Sequence, residues 1–288
     1  MSFKIDTYIS MIEKKEDYNS YRIRYIPQKL YKYIYLSDVP NCDNQCNIDS
    51  LNNLKLNSLR NNEFWLSTCK SLNDPFELKT LFITSDKISK YNYPIELINA
   101  LRDSYYTGVL IGCFTTNLTN NMPMWAHYAN NHTGFCIEYN VTKPKLFYPI
   151  SYEPTRAPAN VAYMNCVSLG YKDMIGKITE KEKEDLEFYN ALLFHNCIIK
   201  NNDWKYENEY RLLFPTEIAK QFTNVSNKGV LMPNKVLGIE TTGIYLGMTC
   251  EKYKNKLINI GKELGVNVYQ MYFDDNCKDY ELSYKKIE

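Results

Sequence analysis

The residues with most to offer chemically lie in the stretch Lys200-Asn201-Asn202-Asp203-Trp204-Lys205-Tyr206-Glu207-Asn208-Glu209-Tyr210-Arg211. Read as a strand over 206–214, it puts Glu207, Glu209 and Arg211 on one face and Tyr206, Asn208, Tyr210, Leu212 and Phe214 on the other. A solvated face carrying an ion pair would look the same, but Trp204 and Lys200 stand close by, and charges beside rings favour a site. A second polar set comes from Asn73-Asp74-Pro75-Phe76-Glu77, where Asn and Asp ahead of proline build a rigid turn that presents Asn73, Asp74 and Glu77 together. Grouped around Mg²⁺, Asp74, Glu77, Glu207 and Glu209 would suit a metal-dependent nuclease.

These groups need a wall, and Pro123 to Tyr139 supplies one. Residues 124–130 can make about two helical turns with Trp125 and Tyr128 on one face and His127 on an adjoining one. Gly134 lets the chain reverse. Beyond it Phe135, Ile137, Tyr139 and Val141 alternate with Cys136, Glu138 and Asn140 as a strand with one buried face. Rings mixed with His127, His132, Asn130 and Asn131 suit a ligand pocket better than a dry core, and the stretch reads as the aromatic side of a cleft whose chemistry comes from elsewhere. An earlier strand, Tyr31-Lys32-Tyr33-Ile34-Tyr35, sets Lys32 opposite Tyr31 and Tyr33. The third histidine, His195, lies in an apolar helix half and reads as a hydrogen-bonded core residue.

The elements that must hold these residues do not alternate strictly between strand and helix. Helices are expected at 5–18, 51–59, 94–106, from 179 onward and at 251–264, and strands at 63–67, 109–115, 236–246, 266–273 and 280–287, the last two paired. This pattern predicts one α+β domain with a mostly antiparallel or split sheet flanked by helices, and an insertion or lid at 144–178, which is irregular and rich in Tyr and Pro. The 288 residues carry a formal charge of +1, which argues against a protein that holds nucleic acid chiefly by counter-ion release. No run reaches the roughly 18 apolar residues of a membrane helix and the first residues lack a signal peptide's apolar core, so a cytoplasmic protein is expected. Nine cysteines, mostly single in apolar contexts, read as reduced buried thiols. Cys42 and Cys46 alone pair up, with no second pair at zinc spacing, and no metal site is expected. Phosphate-loop, dinucleotide-fold, nucleophile-elbow and zinc-protease motifs are all missing.

Five motifs in order carry a resemblance: YKY (31–33), FWLSTCKSLNDPFE (64–77), a cysteine-phenylalanine strand end, MWAHYANNHTGFCIEY (124–139) and K-x3-W-x-x-E-x-E-Y-R (200–211). The chain resembles the bacterial family called domain of unknown function 2971. More distantly, its arrangement resembles ADP-ribosyltransferases, which implies a fold of that type and NAD as the substrate. The resemblance makes Lys32, Tyr128 and either Glu209 or Glu207 the catalytic counterparts, although the family carries His or Arg where Lys32 stands. It implies that Trp125 or Tyr128 stacks on nicotinamide, that Arg211, Lys200 or Lys32 meets the pyrophosphate, that Asn73 and Asp74 fix a ribose or a target base, and that Tyr33 and His127 also border the cofactor. One carboxylate near the ribose would then stabilise an oxocarbenium-like state. The expectation is an NAD-consuming transferase or glycohydrolase, toxin-like or acting in phage defence, with a protein or nucleic-acid target left open and no membrane partner. A nucleotide- or protein-binding module without catalysis is the alternative from a different class.

Overall fold

The computed structural model describes residues 3–37, 45–84, 90 and 94–288, with backbone alone at 45–48, so Cys42 and the side chain of Cys46 lie outside the described residues. Its strands are β1 (Lys29–Ile34), β2 (Glu63–Thr68), β3 (Leu81–Phe82), β4 (Val109–Thr115), β5 (Phe135–Val141), β6 (Phe147–Pro149), β7 (Ser151–Glu153), β8 (Ala157–Pro158), β9 (Ile199–Asn201), β10 (Glu209–Pro215), β11 (Gly229–Pro233), β12 (Ile239–Leu246), β13 (Asn267–Tyr272) and β14 (Ser283–Lys286). Ten of them form one sheet in the order β11-β2-β4-β1-β5-β12-β13-β14, with β10 paired to β4 and β6. Every pairing in it is antiparallel except β12 with β13. The α+β fold and the pairing of the last two strands are as expected.

The geometry that matters most is at β4. Its whole length pairs with β10, from Val109 opposite Pro215 to Thr115 opposite Glu209. The other edge is shared: β2 takes Leu110 and Ile111, while β1 meets it only at Tyr31 opposite Thr115. Between them the sheet splits along Gly112 to Phe114. Gly112 is required there, because a Cβ would lie 2.8 Å from the Phe64 ring and 3.1 Å from Leu66. Period-two alternation then sorts the faces. Phe135, Ile137 and Tyr139 of β5 and Leu212 and Phe214 of β10 enter the largest core, with Phe64 stacked on Phe114. Glu209 and Arg211 point the other way.

The aromatic helix spans Met122–Tyr128, with the Asn121 side chain accepting from the Met124 amide and proline in its first turn. The reversal after it is made differently from the expectation. Asn130, Asn131 and His132 are all left-handed, with φ of 48°, 49° and 69°, and Gly134 is needed for proximity: a Cβ there would sit 2.2 Å from the Ile34 carbonyl oxygen. Asparagine tolerates the left-handed region better than most residues. The helix expected at 5–18 is two, Ile5–Glu13 and Tyr18–Ile23, with Lys15 left-handed between them. The segment 144–178 is stitched into the sheets: β6 joins β10, β7 joins β9 and β8 joins β3. The helix Asn160–Met174 packs with Glu180–Phe194 and Ile95–Gly108 around a small core of its own. No described helix is long and apolar enough to cross a membrane.

Gly134→Ala is expected to destabilise by at least about 2 kcal/mol, because backbone and not a flexible side chain must move. That is a fall in Tm of several degrees. Gly108→Ala, with nothing within 4 Å of the added Cβ, is the neutral control in the same melting experiment.

Candidate active site

Glu207 and Glu209 reach one place by different routes. The strand begins at Glu209 and not at 206, because Asn202–Glu207 wind a 3-10 turn capped by the Asn201 side chain, and Asn208 closes it in the left-handed region at φ 44°. Glu209 and Arg211 then alternate along β10, and Lys200 comes from the three-residue strand β9. Lys200 Nζ lies 2.5 Å from Glu207 Oε2 and 3.2 Å from Glu209 Oε2. Arg211 donates from Nε to Glu209 Oε1 at 2.9 Å and from its two terminal nitrogens to Glu77 at 2.5 and 2.9 Å, with a further bond to the Cys197 carbonyl at 2.5 Å. A forked donor on a carboxylate fixes orientation as well as charge.

Arg211 is 1% exposed, and Lys200, Glu77, Glu207 and Glu209 are all nearly as buried. Three carboxylates face two cations, so with every group ionised the cluster carries one surplus negative charge. The surplus is unevenly felt. Burial and the neighbouring Glu209 charge raise the Glu207 pKa above its ordinary value. Burial also acts against Glu209, but Arg211 and Lys200 outweigh it and hold that carboxyl down to about 2. Two adjacent carboxyls are thus driven in opposite directions, the pattern that separates a proton-exchanging group from a fixed charge. The Glu207 edge is finished by Tyr128, whose hydroxyl donates to Glu207 Oε1 and accepts from Asn73 Nδ2 at 2.8 Å. Burial, and then Glu207, push the Tyr128 pKa up, so its proton stays on.

The cluster floors a cleft of about 230 Å³ where the sheet splits at β4. Tyr31, Lys32 and Tyr33 form one side, Cys113 to Thr115 the back, and Ser71 to Asn73 with Met124 and Tyr128 the rim. Lys32 has its ammonium 5.8 Å from the Phe64 ring centre and makes no ion pair among the described residues. It is a cation free to meet an anion.

Of the residues proposed from sequence, Lys32, Tyr33, Asn73, Tyr128, Lys200, Glu207, Glu209 and Arg211 converge on this cleft. Three do not. Trp125 is fully buried, stacked against His132 and bonded through Nε1 to the Leu118 carbonyl, so it has no face for nicotinamide. His127 is exposed outside the cleft, with Nδ1 3.3 Å from the Tyr206 hydroxyl. Asp74 accepts from the Phe76 amide within its own turn and faces a neighbouring cavity, which separates it from the acidic set a nuclease would use. Tyr33 offers only its ring, its hydroxyl being taken by the carbonyls of Asn117 and Leu118. His195 is a core residue bonded to the Tyr8 hydroxyl, and burial lowers its pKa to about 4. The sequence also leaves three contributors out. Tyr31 lines the cleft, Cys113 backs it beside Glu209, and Tyr152 accepts the Glu209 amide at 2.8 Å. Strand alternation with Tyr33 could have found Tyr31, but no local signal marks Tyr152.

Residues 124–212 match the family described as Protein of unknown function (DUF2971), in keeping with the resemblance read from the motifs. The matched span contains Tyr128, Lys200, Glu207, Glu209 and Arg211. No curated protein and no solved structure matches the chain.

Glu77→Gln should destabilise by about 3 kcal/mol, since it takes the charge from one side of a buried forked pair. Glu207→Gln, which removes the carboxyl that burial already disfavours, should lie within about 1 kcal/mol of wild type; equal losses in thermal melts would refute this division. The pH dependence follows from Glu209. Its lowered pKa contributes stability present above the ordinary value of 4.5 and lost as pH falls from there towards about 2, so Glu209→Gln should flatten the drop in Tm over that window.

Proposed function

We propose that the cleft binds a nucleotide and cleaves its N-glycosidic bond, with NAD as the substrate. The observation that carries this reading is the carboxyl pair at its floor, Glu209 held ionised and Glu207 pushed towards proton exchange. In the proposed step the bond between the nicotinamide nitrogen and ribose C1′ breaks, and its electron pair stays with nitrogen, so neutral nicotinamide leaves. The positive charge that builds on the ribose meets the fixed negative charge of Glu209. Water or an acceptor then adds to C1′ and gives its proton to Glu207, which Tyr128 and Asn73 orient. Lys32 is the group for the pyrophosphate, and the rings of Tyr31 and Tyr33 form the wall for a planar base.

One observation favours the non-catalytic alternative. Both oxygens of Glu209 are already engaged by Arg211 and Lys200, as in a cluster that only shapes a binding cleft.

Nicotinamide release from NAD tests the two. Wild type should release it, Glu207→Gln and Glu209→Gln should lose roughly a hundredfold or more in kcat, and Lys32→Ala should raise KM more than it lowers kcat. Because Glu207 must be ionised to accept the proton, activity should fall as pH drops through its pKa, which burial and the Glu209 charge raise above the ordinary glutamate value. Background release from all variants alike, with NAD-dependent thermal stabilisation, would favour the binding module.

A further inference from the structure

Another buried carboxylate, apart from the three in the cluster, lies one strand away from the cleft on the same sheet. Glu138 of β5 stands opposite Tyr31 of β1 in the register. Its side chain is 7% exposed, and four donors saturate both oxygens. Oε1 accepts from Lys29 Nζ at 3.1 Å and from Thr242 Oγ1 at 2.7 Å, while Oε2 accepts from the hydroxyls of Tyr31 and Tyr245, each at 3.2 Å. The donors hold its pKa below the ordinary value although burial acts the other way. Glu138 therefore has no oxygen left for a ligand, and it does not line the cleft.

Its effect is carried by Tyr31. That ring lines the cleft, and outside the cleft it is fixed at two points: the hydroxyl on Glu138 and an edge-on contact with Tyr245, with centroids 6.2 Å apart at 75°. Tyr245 is itself held by stacking on Tyr269 at 4.7 Å and by an edge contact with Tyr284. A ring pinned at its far end presents a set surface, and a planar ligand that packs on it loses less freedom in binding. Tyr33, the cleft's other ring on β1, is pinned separately, through the carbonyls of Asn117 and Leu118.

We infer that Glu138 is a positioning residue for ligand recognition: by anchoring the Tyr31 hydroxyl it fixes the ring on which the planar base of a nucleotide stacks. This rests on the reading of the cleft as a nucleotide site, so the test has one arm that needs no ligand. Fluorotyrosine placed at position 31 reports the ring directly by ¹⁹F NMR. The wild-type chain should give one sharp line, and Glu138→Gln a shifted or broadened one. An unchanged line in Glu138→Gln would overturn the inference whatever the cleft binds. In the second arm NAD is the probe. Glu138→Gln and Tyr31→Phe should weaken binding up to about tenfold, the cost of immobilising a freed side chain when the ligand packs on it. They should raise KM for nicotinamide release while leaving kcat within about twofold, a split that a general loss of folding would not produce. Thr242→Val, which removes a donor from the other oxygen, should keep the wild-type line and affinity. A changed line with unchanged affinity would show that Tyr31 is anchored but does not contact the base, and would overturn the recognition half of the inference.

Discussion

The structure depends on burying an arginine. Arg211 has no water to fall back on, so each of its donors must find an acceptor in the protein, and it finds them on three separate segments: Glu77 of the proline turn, Glu209 of its own strand and the Cys197 carbonyl. The guanidinium thereby fixes where the turn lies against the sheet. Because the turn also carries Asn73 to Tyr128, the same interaction sets the rim of the cleft and its floor. The position of the aromatic helix is coupled to the cluster through the Tyr128 hydroxyl, and Lys200, shared between Glu207 and Glu209, is held by both.

The cleft itself is a by-product of how strands share edges. If β1 and β4 paired along their whole length, the backbone between Tyr31 and Phe114 would be sealed by hydrogen bonds and no ligand could enter. Because β2 and β1 divide one edge of β4, the sheet opens without leaving the fold, and the Phe64 ring over Gly112 covers the apolar side of the opening. Lys32 sits at this opening, which explains why a lysine is tolerated in the middle of a strand whose neighbours are aromatic.

Much of this was legible in the sequence wherever a local rule decides the outcome. Alternation along 209–214 places Glu209 and Arg211 on one face, and the turn residues around Pro75 predict a loop that presents polar groups. The misses share a cause. Trp125 and His127 both precede Tyr128 within three residues, yet their roles depend on which side of the helix meets the sheet, and that is fixed by the Leu118 carbonyl and by Tyr206 rather than by helical spacing. Alternation continues through Glu207 and predicts a strand there; the left-handed Asn208 breaks the strand and still delivers the carboxylate. The division of β4 between two partners is long-range, and no local pattern encodes it.

The distances along the chain add something to the charge count. Lys200, Glu207, Glu209 and Arg211 lie within one short stretch, the lysine being 7 and 9 residues from its two partners, and by themselves they are neutral. Glu77 joins Arg211 from 134 residues away. Loop-closure entropy grows with separation, so the neutral quartet is the inexpensive part to assemble and the turn is the expensive one. The segment that closes the cleft is therefore also the one that brings the excess negative charge, and the cluster acquires its electrostatic character only when the fold is complete.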